Sequence, residues 1–385
     1  MLPKIITTQQ GLEEICTSFL SEASPFICID TEFVRQTTYW PKLALIQMAS
    51  LSHQVIIDPV PGLLCLKPLL EILRSPSIVK VFHSGRQDLE IFWHLFKELP
   101  SPIFDTQIAA AFLGMGTMGY DRLVNSLLGI EIDKTSQHTN WLKRPLSEKQ
   151  LKYALDDVLY MRQMYPILFQ KLDEKGRTDW MQDELAVLTS EKTYQSNPDT
   201  LWRDFLRKVR NWKQLSLLKD FLSWREEMAI LHNLNRSGLI HDKELSDLSQ
   251  SPLLPKEDLR RFFKRLAPRL DQADFFESFY QVYESAYDLI GGEGDAAKKR
   301  KEEMESALKK APSMMPEALK EKITKIKDVL NGVASGLEIP AHFIASRFDI
   351  ESFAKDPSES HKILSGWRRS LLEDKLKIFL NQAGG

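Results

Sequence analysis

The chain has 385 residues, 43% hydrophobic and 27% charged, a composition that excludes a mainly disordered protein and a length too great for one compact core. Its 51 basic and 53 acidic residues nearly cancel, which excludes a surface that is polycationic throughout but not a local basic groove. Three cysteines, Cys16, Cys28 and Cys65, fit neither a disulfide framework nor a four-ligand zinc site and suit a reducing compartment, with the cytoplasm as the default.

The opening Met1-Leu2-Pro3-Lys4 lacks the apolar stretch of a signal peptide, and no uncharged run reaches the roughly 18 residues of a membrane span. No membrane association is expected. Residues 26–29, Phe-Ile-Cys-Ile, predict a strand covered on both faces. Residues 43–49 and 54–57 predict two more strands in a meander, 78–82 a fourth, and 88–99 a helix ended by Pro100 and Pro102. Ser147 and Gln150 read as a capping box, with Leu146 and Leu151 as a hydrophobic staple. The helix they begin carries Leu151, Ala154, Leu155, Val158, Met161 and Tyr165 on a core stripe, while Tyr153 and Asp157 lie one above the other on a different face. A mixed α/β domain over residues 1–195 is the simplest account.

From about Asn197 the composition turns helical. At an offset of 105 residues, without gaps, Phe221 pairs with Ile326, Trp224 with Val329, Ala229 with Ala334, Leu234 with Ile339, Leu239 with Ile344, Leu245 with Ile350 and Leu248 with Phe353. Two copies of one helical module are implied, at 196–290 and 316–385. Between them, the glycine-rich Gly291-Gly292-Glu293-Gly294-Asp295 and the charged stretch 298–303 predict a linker over 291–315, with Pro312 and Pro316 introducing the second copy.

Three segments bring carboxylates to the first domain. Asp30 and Glu32, at i and i+2, point to the same side at the end of the first predicted strand. Asp88 opens the helix after the fourth strand, and Tyr153 and Asp157 share a helix face. Each has a plain alternative: an acidic turn, a charge favouring a helix N-terminus, a surface pair. If they converge, their repulsion requires something positive among them, and hard Mg²⁺ or Mn²⁺ answers that need. Paired ions about 3.5–4 Å apart suit phosphodiester hydrolysis.

Residues Phe26 to Arg35 with Tyr39, Pro41, Leu43, Leu45, Ile46 and Gln47, then His83 to Asp88, then Tyr153 with Asp157, resemble the three ordered motifs of the DEDD superfamily of 3′→5′ exonucleases, tyrosine subclass, and specifically the ribonuclease D family. Phe104-Asp105-Thr106-Gln107 and the stretch from Arg144-Pro145-Leu146 to Gln150 extend the likeness; Asn140 before Trp141 departs from it, since relatives often carry aspartate there. The resemblance implies a ribonuclease H-like α/β exonuclease domain followed by two all-α HRDC domains. It implies that Asp30, Glu32 and Asp157 bind the metal that activates water, that Asp30 bridges to a second metal supported by Asp88, and that Tyr153 orients the water. Asp156 is the competing ligand of the third motif, but the four-residue spacing from Tyr153 favours Asp157 and leaves Asp156 a structural or supporting role. The helical copies resemble HRDC domains in Trp224-Arg225-Glu226-Glu227-Met228-Ala229 and, in the second copy, Leu337-Glu338-Ile339-Pro340 and Gly366-Trp367-Arg368-Arg369.

Substrate contacts are expected from Phe33 and Tyr39, which could stack on bases or pack in the core, and from His83, equally a structural group. Arg260, Arg261, Lys264, Arg265 and Arg269 lie in a stretch without acid, either solvated surface or a phosphate-backbone contact. The expected activity is a metal-dependent 3′→5′ exoribonuclease acting on RNA with a free 3′ end, tRNA precursors above all, releasing nucleoside 5′-monophosphates with no obligate protein partner. A DNA exonuclease and a catalytically silent RNA-binding scaffold are the alternatives. Residues 1–195 hold 19 basic and 23 acidic residues and the rest 32 and 30, so part of the acid excess is the expected metal site itself.

Overall fold

The computed structural model describes residues 4–22, 24–62, 64–137, 139–266, 273–310, 316–358 and 361–380. Met1, Leu2, Pro3, Arg269 and Pro312 lie outside the described residues. Strands β1 (Lys4–Ile6), β2 (Phe26–Val34), β3 (Lys42–Ala49), β4 (Gln54–Ile57), β5 (Val79–Phe82) and β6 (Ile103–Asp105) form one sheet in the order β1-β4-β3-β2-β5-β6. The β3–β4 meander is antiparallel, with Ile46 opposite Ile57, whereas β2, β5 and β6 run parallel, with Phe26 opposite Val79 and Val81 opposite Phe104.

One expectation needs correcting. Strand β2 does not end before Asp30 but continues to Val34. Its pairing with β5 stops at Cys28 opposite Val81, while β3 lies along its other side. Asp30 and Glu32 therefore stand inside a strand that has outrun one neighbour, at the kind of sheet opening where α/β proteins bind ligands.

Helices α1 (Gln9–Ser21), α2 (Leu69–Arg74), α3 (Arg86–Phe96), α4 (Thr106–Phe112), α5 (Tyr120–Leu128), α6 (Glu148–Glu174) and α7 (Thr178–Leu188) accompany the sheet. The Ser147/Gln150 capping box starts α6, and Tyr165 on its core stripe packs its ring 4.5 Å from that of Phe26 on β2. By strand alternation Cys28, Asp30 and Glu32 share the face of Phe26, the face that α6 covers.

The remaining helices are α8 (Trp212–Leu231), α9 (Arg236–Leu239), α10 (Asp242–Gln250), α11 (Lys256–Leu266), α12 (Ala273–Gly291), α13 (Asp295–Lys310), α14 (Glu317–Leu337), α15 (Ala341–Ile344), α16 (Arg347–Lys355) and α17 (Trp367–Leu380). The bounds of α8, α9 and α10 recur in α14, α15 and α16 at the sequence offset, to within one residue. The expected linker is largely helical: in α13 Met304 is fully buried and Arg300 pairs with Asp220 of α8 at 3.0 Å. A single inward stripe is enough to fold it, although charge dominates its composition.

Two compact units result. Unit 1 comprises Met1–Val34, Leu43–Tyr194 and Pro316–Gly385, and unit 2 comprises Arg35–Lys42 and Gln195–Met315. Within unit 1, Trp367 of α17 stacks on Trp180 of α7, 4.7 Å between centroids, and Arg368 is ion-paired with Glu184. Within unit 2, Tyr39 joins the core built by Phe221, Trp224, Phe279 and Tyr283. Its hydroxyl donates to Glu226 at 2.5 Å, and the same fully buried carboxylate receives Arg236 at 2.5 Å and Ser196 at 2.5 Å. Burial works to raise the Glu226 pKa, but the hydrogen bonds outweigh it and hold the group below its ordinary value. Among the described residues no helix is long and apolar enough to cross a membrane.

Candidate active site

Strand alternation aims Asp30 and Glu32 at α6, where Asp157 lies one helical turn beyond Tyr153. One carboxylate oxygen from each of Asp30, Glu32 and Asp157 lies within 4.8 Å of the others. Two of the three segments, β2 and α6, meet in this cluster. Asp88, in the first turn of α3, stands beside it and accepts from the Thr31 hydroxyl at 2.5 Å.

Burial is the main force on these carboxyls. It pushes Glu32 up to about 9, Asp157 to about 8 and Asp88 to about 7, and Asp30 well above the usual carboxylate range. Their mutual repulsion adds to this: Asp157 and Asp88 each raise both Asp30 and Glu32. Two hydroxyls oppose it, Thr31 on Asp88 and Tyr153 on Asp157. Burial, then Asp157, raises Tyr153 well above its ordinary value, so at neutral pH it is a phenol and a hydrogen-bond donor.

The donor set is chemically specific. Clustered carboxylates that cannot all ionise by themselves are hard oxygen ligands for a divalent cation, and a bound cation would reverse their pKa elevation. Asp30, Glu32 and Asp157 fit one such ion, and Asp88 stands close enough to repel them. Asp156 is not part of this cluster and is ion-paired with Lys152.

Neighbouring residues hold these groups in place. Asp105 caps α4 by accepting from Gln107 and Ile108 and also receives the amides of Ser84 and Gly85, at 3.2 and 2.8 Å, which fixes the turn before Asp88. That turn requires Gly85, because a Cβ there would meet Phe82 Cβ at 2.6 Å. Arg144 forks onto Asp58, both bonds 2.6 Å, and donates to the Trp141 carbonyl, seating the buried Trp141 ring 6.0 Å from that of Tyr153. Asn140 is exposed and turns back on the Leu142 amide.

The remaining expected contacts separate. His83 bonds Thr106 through Nδ1 at 2.9 Å and meets Tyr120 edge-on, its pKa lowered by burial. Phe33 is half-buried on β2. Tyr39 is enclosed in the core of unit 2, the packing alternative rather than an open stacking ring. On α11, Arg261, Lys264 and Arg265 are exposed, while the Arg260 guanidinium lies 4.6 Å over the Phe276 ring. Sequence reasoning assigned no role at the site to Thr31, Asp105 or Tyr120. Asp105 carried a readable signal, an aspartate directly before a helix start; the other two act across elements and left none.

A family model described as 3'-5' exonuclease matches residues 3–173. Ribonuclease D of Gluconacetobacter diazotrophicus is 34% identical over 374 residues, covering 97% of this chain and 91% of the relative. Ribonuclease D of Bartonella henselae is 36% identical over 381 residues, covering 98% and 90%. The crystal structure of Escherichia coli RNase D, described as an exoribonuclease involved in structured RNA processing, matches with a TM-score of 0.79 at 29% identity, over 99% of both chains.

Proposed function

The chain belongs to the ribonuclease D family of 3′→5′ exoribonucleases, and from that premise we propose that it trims the 3′ ends of structured RNAs, tRNA precursors among them, by metal-assisted hydrolysis releasing nucleoside 5′-monophosphates. The observation that carries the chemistry is the convergence of Asp30, Glu32 and Asp157 within 4.8 Å. Asp30, Glu32 and Asp157 would hold one Mg²⁺ or Mn²⁺, and Asp30 with Asp88 a second. When bound, such ions supply Lewis acidity at the scissile phosphate and a more acidic water.

The protein's own groups do the rest. Tyr153, a neutral phenol fixed between Asp157 and Trp141, orients the attacking water by hydrogen bonding and does not act as a base. Thr31 and Asp105 hold Asp88 and its turn in place. Phe33 and His83 border the RNA terminus, while Arg260, Arg261, Lys264 and Arg265 contact phosphates along the strand. Residues 196–290 and 316–385 serve as two HRDC modules, and free Cys16, Cys28 and Cys65 suit a cytoplasmic enzyme.

The test is digestion of a 3′-extended tRNA and a matched single-stranded DNA with Mg²⁺ or Mn²⁺, comparing wild type with Asp30→Asn. Stepwise loss of 5′-monophosphates from the RNA, abolished by chelation and by the substitution, is expected. Preference for the DNA would make it a DNA exonuclease, and trimming that survives both treatments would remove the metal mechanism.

A further inference from the structure

The hydroxyl of Tyr120, the first residue of α5, is bonded to the backbone of α6. The Met161 amide donates to it at 3.1 Å, and it donates in turn to the Asp157 carbonyl, with the Asp156 carbonyl 3.0 Å away. In an α-helix residues 157 and 161 are the two ends of one turn, so a single side chain grips both ends of that turn. These bonds fall on the backbone of the one carboxylate that α6 contributes to the acidic cluster.

The Tyr120 ring is fixed as well. It meets His83 edge-on, 5.3 Å between centroids, and His83 is anchored by Thr106, whose hydroxyl donates to the Phe82 carbonyl at 3.1 Å. A continuous series of contacts thus runs from the end of β5 through His83 and Tyr120 to Asp157. From this geometry we infer that Tyr120 is a positioning residue: its hydroxyl pins the α6 backbone at Asp157, and so aims that carboxylate at Asp30 and Glu32. Without the hydroxyl that turn of backbone is released, and the carboxylate shifts with the peptide.

The inference rests on the metal-assisted reading of the cluster, and the experiment separates the two. Full-length wild type, Tyr120→Phe and Leu123→Ala are compared, Leu123 being a fully buried α5 residue whose truncation loosens the same helix but leaves the Tyr120 hydroxyl in place. The readouts are Mn²⁺ binding followed by electron paramagnetic resonance without RNA, kcat and KM for RNA trimming, and exchange of the Met161 amide. Tyr120→Phe is expected to weaken Mn²⁺ binding and lower kcat about tenfold each, with KM changed less than about twofold, and to alter Met161 exchange without altering that of Leu168. Leu123→Ala is expected to melt earlier yet bind Mn²⁺ as wild type does. Wild-type Mn²⁺ binding and kcat in Tyr120→Phe, or equal losses in Leu123→Ala, would overturn the role. If wild type itself binds no Mn²⁺ and trims no RNA, the metal reading falls instead, and Met161 exchange still decides whether Tyr120 pins the α6 backbone.

Discussion

Thr31, the residue between the two β2 carboxylates, donates its hydroxyl to Asp88 of α3 across 2.5 Å. The bond joins the strand that presents Asp30 and Glu32 to the helix that presents Asp88. It also opposes the burial that pushes Asp88 up to about 7. Thr31→Val keeps the shape and removes the donor, so Asp88 moves higher still. The expected outcome is a fall in trimming of about five- to twentyfold at neutral pH, partly recovered at higher pH. A pH–rate profile of the variant whose acid limb coincides with wild type would refute this.

Asp30→Asn separates stability from function. It removes the carboxyl on which burial and three charged neighbours act together. Activity should drop on the order of 10³-fold, while the metal-free protein melts about 2–4 °C higher. Thermal melts in chelator, beside the activity assay, check both halves.

The pH dependence of the metal-free fold has a definite sign. Glu32, Asp157 and Asp88, at about 9, 8 and 7, hold protons in the folded chain that the unfolded chain has released. Their contribution is therefore complete below the unfolded carboxylate range near pH 4 and is lost as pH rises toward 9. Melting in chelator should move to lower temperature from pH 6 to pH 9. Added Mn²⁺ should restore more stability at pH 8 than at pH 6, because protons and metal compete for the same oxygens.

Tyr39→Phe tests the core of unit 2. It takes one of three donors from the buried Glu226 carboxylate. A loss of about 1–2 kcal/mol is expected in urea melts, with Mn²⁺ binding unchanged. A variant as stable as wild type would show that Arg236 and Ser196 suffice.

On α11, replacing Arg261, Lys264 and Arg265 together by glutamine should weaken RNA binding several-fold at moderate salt and flatten the slope of log affinity against log salt by about 2. Identical salt slopes for the two proteins would leave these side chains as plain surface.

What could be read in the sequence followed how far each rule reaches. Strand alternation pairs Asp30 with Glu32, helical spacing pairs Tyr153 with Asp157, and the Ser147/Gln150 box starts α6, all from neighbours within four residues. Partners far along the chain were illegible: Tyr120 acts on a carbonyl 37 residues away, and Tyr39 on a carboxylate 187 residues away. Burial was hidden in α13 for another reason, since Met304 and Ala297 are sparse among charges. The internal repeat was legible because its two copies keep the same spacing of apolar positions, whatever packs against them.

The discontinuity of unit 1 fixes an order of events during synthesis. All six strands have left the ribosome long before Trp367 exists, and until then Phe112 and Trp180 lack the ring that covers them. Meanwhile Tyr39 emerges early and waits for Glu226, so neither unit can be completed in the order in which it is made. The nascent chain must carry open aromatic surface through most of its translation, the condition in which association with other unfinished chains competes with folding. Slowing translation before Trp367 is therefore a hazard for this protein rather than a help.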